Sequence, residues 1–461
     1  MRSLARKPLI VFAFLLLCVS AEAAVFTAGP GGTYPTIQEA VIAAVAAGGD
    51  NHIKIRAGTF DEELFIIGMT SGSLTFLGGW SIFFNSRNPD PSSTVIHSTG
   101  GYPAASLEHS GGAVRFDGMT FTSDHPSGNG GAIYALLTGT AQLFLNHCVI
   151  TGSSAGGVGG GGYIKLSESS GFELWDCEIS NNLSLTPTNV DGGGLYLYMN
   201  SLSATGKITW STIENNALQT AGSSNTRGAG IFLEMWGGQF EISDCLFSNN
   251  TLGTANGDRE GSEMYLSLYG FSDTPIVQMR RNRFHSSSNI GASDMVHVFT
   301  NGDVETTITD SWFSGGAGTG IFAEYYNAGT LIINNITGTD FNGTAILVVT
   351  DGNEDLVSLT NSIVWNSDLD WALPAGAAIS GNVVGVNPLF VDPAGRNFRL
   401  QQGSPAIDTS SGSPIGGFSD KDLHGLSRLI GSAVDAGGSE WGGLFADSFE
   451  VGTTRVWAAE Q

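Results

Sequence analysis

The chain has 461 residues, with 19 basic against 43 acidic side chains and a net charge of −24. A surface that acidic argues against nucleic acid and anionic membrane as partners. Glycine, at 65 residues, is about twice its usual share, yet apolar residues reach 41%, which fits many short strands and tight turns and excludes disorder.

The first residues, MRSLARKPLIVFAFLLLCVSAEAA, set Arg2, Arg6 and Lys7 before an apolar run from Leu9 to Val19 and the small-x-small step Ala21-Glu22-Ala23. This is the order of a secretory signal peptide over 1–23, cleaved after Ala23. The run falls short of the roughly 20 residues a membrane span needs, and the mature chain shows no transmembrane helix. The expected location is therefore secreted, extracellular or at the cell surface, with outer-membrane association left open. Cleavage leaves Cys148, Cys177 and Cys245. Three cysteines do not make a disulfide framework. They read as small buried hydrophobes, with a Cys148–Cys177 bridge between neighbouring coils as the alternative.

In TYPTIQEAVIAAVAAGG, Thr36 with Glu39 three residues on forms a capping-box pattern. Ile37, Ala40, Val41, Ala44 and Val45 then share one helical face, and Gly48-Gly49 end it. A short helix covering the end of a larger core is expected here. The strand HIKIRAG follows, with Ile53 and Ile55 inward.

Beyond this point the chain repeats itself. DCEISNN, WSTIENN and DCLFSNN begin at Asp176, Trp210 and Asp244, about 34 residues apart. Aligned on the apolar centre, the column is Ile150, Ile179, Ile213, Phe247, Phe284 and Phe313. Two residues earlier stand Cys148, Cys177, Ser211, Cys245, Asn282 and Ser311, all compact. A second phrase runs in step, ending at Ile133, Ile164, Leu195, Ile231 and Met264. Two phase-locked strand phrases in about 30 residues, without a 3.6-residue apolar period, predict an all-β parallel β-helix, a solenoid of about nine to twelve coils. Stacked asparagines after each phrase would satisfy the turn backbone.

GGAI at Gly130–Ile133 and FSNN at Phe247–Asn250 resemble the repeats of polymorphic outer-membrane proteins. The opening helix and strand and the repeat resemble secreted right-handed parallel β-helix proteins of the pectate-lyase-like superfamily. The coil is assigned to 24–372, a closing segment to 373–441 and a tail containing LFADSFE to 442–461. Within the closing segment, VNPLFVDPAGRNFRLQQGSPAID and DLHGLSRLIGSAVDAGGSEW resemble the C-terminal region of choice-of-anchor Q surface proteins, through residues that include Asn387, Phe398, Asp408, Asp422, Arg428 and Asp435. The resemblance implies a capped, exported β-helix and names no reaction.

Pectate-lyase-like enzymes place carboxylates, often holding Ca²⁺, beside an Arg or Lys base on the outer face of one sheet. No cofactor is required by the sequence, and Ca²⁺ stays open on this resemblance alone; Asp351, Asn353, Glu354 and Asp355 form a carboxylate-rich string without EF-hand spacing. Alternation turns Asp244, Arg281 and Asp310 outward on successive coils, an acid–base–acid ladder that is the candidate catalytic set. The competing reading is a structural ion-pair ladder. Tyr196, Trp210, Arg283, His285 and Trp312 are candidate ligand-binding residues. Tyr134, Tyr196, Phe232, Tyr265 and Phe322 would form an outward stripe of rings, unless a shift of one residue or a covering loop buries them. The preferred reading is a non-catalytic surface or extracellular protein, adhesin-like or glycan-binding, with a polysaccharide or a cell-surface partner. A polysaccharide lyase or glycoside hydrolase is the alternative.

Overall fold

The computed structural model describes residues 23–442 apart from 124–126, 187–189, 221–224, 254–257, 287–292, 317, 352–355, 411–413 and 415–416. The leader up to Glu22, the tail from Gly443 and the 353–355 part of the acidic string lie outside the described residues.

The chain winds as a right-handed parallel β-helix whose coils build three long sheets. Sheet A has 13 strands, from Ala24–Ala28 to Ala378–Ser380; sheet B has 12, from Gly58–Asp61 to Val383–Val384; sheet C has 11, from Leu64–Ile67 to Leu369–Ala372. One coil, for example, runs through Gln142–Asn146 in A, Val149–Thr151 in B and Gly162–Leu166 in C. The winding continues to Val384, past the change of composition at Leu373.

Ile150, Ile179, Ile213, Phe247, Phe284 and Phe313 pair in register in sheet B and are buried. Phe247, Phe284 and Phe313 stack face to face at 4.7 and 4.8 Å, so identical positions of successive coils touch through one continuous core. In sheet C the aligned column is Ile133, Gly162, Leu195, Ile231 and Met264. Ile164, read as the partner of Ile133, instead pairs with Ala135 and Leu197. The slip is two residues, which keeps Ile164 inward but displaces Tyr163 from the sequence-based ring stripe.

Each coil turns from A to B on a single left-handed residue: His147, Asp176, Trp210, Asp244, Arg281 and Asp310 all have φ between 48 and 59°. The compact residue that follows points in and accepts the backbone N–H one coil above. Ser211 Oγ takes Cys177 N at 3.1 Å, and Asn282 Oδ1 takes Cys245 N at 3.0 Å. The B-to-C corner carries the asparagine ladder, in which Asn182 N donates to Asn216 Oδ1 (3.1 Å) and Asn216 N to Asn250 Oδ1 (3.0 Å). Entry to sheet C needs glycine: at Gly192 (φ 66°) a Cβ would lie 2.5 Å from the Leu195 carbonyl oxygen. The repeated phrase is therefore one corner chemistry written once per coil.

The helix Ile37–Ala47 lies over the first coil with Ile37, Ala40, Val41 and Ala44 buried. Thr36 accepts Glu39 N at 3.2 Å, while the Glu62 carboxylate takes the Ile37 and Gln38 N–H groups at 2.9 and 3.1 Å. No described helix is long and apolar enough to cross a membrane. Cys148, Cys177 and Cys245 are free and buried, and Cys177 Sγ accepts Cys148 N at 3.3 Å.

From Val386 the chain packs sideways on the outer face of the last coils of sheet B. Phe390, Phe398, Leu400, Ala406, Leu423 and Ala436 form a second core with Trp312 and Ile363.

Candidate functional site

Asp244, Arg281 and Asp310 do meet as successive corner residues, but they are spoken for. Arg281 binds Asp244 in a two-pronged pair, Nε to Oδ1 at 2.7 Å and Nη2 to Oδ2 at 2.8 Å. Asp310 is 1% exposed, with its Oδ1 2.9 Å from Arg428 Nε and its Oδ2 accepting the Ser419 hydroxyl, both from the closing segment. Burial raises the Asp310 carboxyl, opposed by Arg428 and the Ser419 hydrogen bond. Arg428 also donates to Glu440 at 2.9 Å. A base for proton abstraction must reach substrate with a free lone pair. The geometry here is that of an interlocked ion-pair column.

The closing segment also covers three of the sequence-derived ligand candidates. Trp312 points outward from sheet B yet is only 7% exposed, edge-on to Phe398 (5.0 Å) and His424 (5.1 Å). Arg283 lies over the Trp312 ring at 5.6 Å. His285, whose Nδ1 is 3.1 Å from the Ser314 carbonyl oxygen, is pushed down to about 4 by burial and the Arg396 charge. Trp312 docks the segment, and Arg283 and His285 stand half-buried on the neighbouring strand.

Sheet C presents the aromatic face. Tyr134, Tyr163, Tyr196, Phe232, Tyr265, His297 and Phe322 point outward in register. Neighbouring ring centroids along this row lie 4.7 to 5.4 Å apart. The phase read from sequence holds, and so does the covering loop. Short strands Val190–Asp191, Thr226–Arg227 and Arg259–Glu260 form an extra sheet, and Arg227, paired with Asp191 at 2.9 Å, lies over Phe232 (5.1 Å) and Tyr265 (5.3 Å). A ring stacked on both faces offers only its edge to a sugar, so the interior of this row is packing.

The accessible aromatic surface lies beside it, where the outward alternation of Phe232 continues to Glu234 and Trp236. Glu234 accepts the Tyr196 hydroxyl and the Trp236 indole N–H, each at 2.9 Å. Burial, then the Glu234 charge, push the Tyr196 phenol up. Trp236 is 40% exposed, with Tyr269 stacked on one face at 4.4 Å and Phe271, 64% exposed, at 6.1 Å. Lys165 sits over Tyr198 at 5.2 Å, and Leu202 is exposed on the adjoining turn. Sequence reading passed over Glu234, Trp236 and Phe271 because Trp236 and Phe271 lie just beyond their strands, outside the repeated phrase; the two-residue alternation past Phe232 was the available signal. Trp210, on the A–B corner, is the sequence-derived candidate that stays open, at 54% exposed.

Among the described residues, no three His, Cys, Asp or Glu side chains are gathered to hold a metal ion. Fold and surface together define a right-handed parallel β-helix with outward aromatic rows. Residues 85–268 match the family model of the right handed beta helix region. The chain is similar to the crystal structure of pectate lyase Pel9A, with a TM-score of 0.46 and 13% identity over 92% of this chain and 97% of that one. No curated protein matches.

Proposed function

We propose that the chain is an exported, non-catalytic β-helix that binds a glycan on the Trp236 side of sheet C. The observation that carries this reading is Glu234, which holds the Tyr196 and Trp236 rings in one fixed arrangement. A rigid, half-open aromatic surface with a carboxylate beside it offers an apolar face to sugar C–H groups and an acceptor to hydroxyls. The repeat and tail resemblances to polymorphic outer-membrane and choice-of-anchor Q proteins suit a cell-surface location, and N-terminal sequencing of exported protein is expected to begin at Ala24. The committed Arg281 and the sealed Asp310 weigh against the lyase or hydrolase alternative.

The test is retention of the mature protein on a panel of polysaccharides in affinity electrophoresis. Trp236→Ala with Phe271→Ala should weaken retention about tenfold with the melting curve unchanged. Unsaturated, ultraviolet-absorbing products that vanish in Arg281→Ala would replace this reading with a lyase. Retention indifferent to both aromatic changes would remove sheet C from the account.

A further inference from the structure

Trp210 is out of keeping with its column. The other corner residues of neighbouring coils are His147, Asp176, Asp244, Arg281 and Asp310, while Trp210 holds φ 54° and remains 54% exposed. A bulky side chain is sterically among the least suited to the left-handed region. Unlike Trp236, stacked on Tyr269, and Trp312, edge-on to Phe398, its indole makes no ring contact among the described residues and is more than half exposed.

Its surroundings are acidic. Asp176 and Asp244 hold the same corner one coil above and one below, because Trp175, Thr209 and Ser243 pair in register just before them. Glu173 and Glu241 face outward on sheet A beside Lys207, and Glu178 and Glu214 on sheet B. The local cations are already engaged: Lys207 lies 3.4 Å from Glu241 and Arg281 binds Asp244. Beyond those pairs, Glu173, Glu178 and Glu214 have no lysine or arginine partner among the described residues, so negative charge is in excess around the indole. That combination favours a cationic ligand over a uronate, through cation–π attraction and ion pairing.

The backbone here is closed to a peptide strand. Trp210 N donates to Ser243 O at 3.2 Å, Asp176 N to Thr209 O at 3.0 Å and Thr212 N to Cys177 O at 2.9 Å, so no free edge remains for strand addition. A pyranose needs no edge. It lays C–H groups on the indole and turns amines and hydroxyls to the flanking carboxylates and to the half-buried Thr212. We infer that Trp210 and its flanking carboxylates form a second binding site, for a glycan carrying free amines. The inference rests on the glycan-binding reading above for the class of ligand, but on a different face of the coil.

Calorimetric titration of the full mature chain with a glucosamine hexamer tests it, with the N-acetylated hexamer, a galacturonate hexamer and hexalysine as comparators. The glucosamine hexamer should bind about tenfold more tightly than the N-acetylated one, and its binding should fade as pH rises through the amine pKa. Trp210→Asn, which suits the left-handed corner and so should fold, should cost about tenfold in affinity, whereas Trp210→Phe should stay within about threefold. Equal binding of the N-acetylated hexamer, equal binding of hexalysine, or an unchanged affinity in Trp210→Asn each overturns the proposal. The Trp236→Ala, Phe271→Ala protein should keep glucosamine binding, so failure of the sheet C site and failure of this one are told apart.

Discussion

Glu263 ends the asparagine ladder as a buried acid. It is fully buried, accepts from Asn250 Nδ2, and among the described residues receives no ion pair from a lysine or arginine. Burial raises its carboxyl from 4.5 to about 8, against the hydrogen bonds from Asn250 and Asn249, so the folded chain holds this proton where the unfolded chain has released it. The sign follows directly. The contribution to stability is complete below the unfolded value of 4.5 and is lost as pH rises through about 8. Glu263→Gln, neutral at every pH, should therefore show a flatter melting temperature between pH 5 and 9. The gap to the native protein should widen by at most about 1.4 kcal/mol per pH unit. Parallel pH profiles for the two proteins would mean that Glu263 is ionised in the fold. Glu263 was not singled out from the sequence: it stands one residue before Met264 in the second repeat phrase, and only the asparagine ladder shows that its carboxylate is enclosed.

At the level of elements, the repeat phrase and the capping helix were legible because their determinants are local. Thr36 caps three residues away, and a period-two pattern fixes which side of a strand is inward. Alignment of the second phrase was less secure, since glycine runs such as Gly159–Gly162 offer no side chain to fix a register; the slip at Ile164 hid Tyr163. The docking of the closing segment was not legible at all. Its contacts span about a hundred residues, as in Asn335 Nδ2 to the Asp435 carbonyl oxygen (3.0 Å) and Gly438 N to Thr337 Oγ1 (3.1 Å). Trp312, Arg283 and His285 looked exposed because period alone cannot reveal a cover from elsewhere in the chain. Arg428 is the pivot of that cover, buried between Asp310 and Glu440, whose carboxyl burial raises to about 8. Arg428→Ala should cost about 3–5 kcal/mol, because it strands buried acids. Limited proteolysis should then cut between Val386 and Trp441 while the coil survives. Adding Asp310→Asn should restore part of the resistance; a segment equally resistant in Arg428→Ala would show that the Trp312–Phe398 core holds it unaided.

The whole molecule is a long, narrow column with a net charge of −24, so its field reaches any polymer laid along it. Each coil repeats the same three faces, and a linear ligand aligned with the axis would meet the same sign of charge over many rungs. For a polyuronate this is repulsion summed along the chain; for a neutral glycan it is nearly nothing; for an aminated one it is attraction. Salt separates the cases, because the screening length falls from about 8 Å at physiological ionic strength to about 3 Å at 1 M. Retention of polygalacturonate on the immobilised protein should accordingly rise as salt is added, that of an uncharged glucan should stay level, and that of a glucosamine polymer should fall. A polygalacturonate affinity that drops with salt would require a local basic surface strong enough to override the field. Met279–His285 is the basic cluster of the sequence, and its Arg281 and Arg283 are engaged by Asp244 and the Trp312 face. The direction of that one salt slope therefore tests whether selectivity is set by the summed charge of the coils or by a few side chains on one of them.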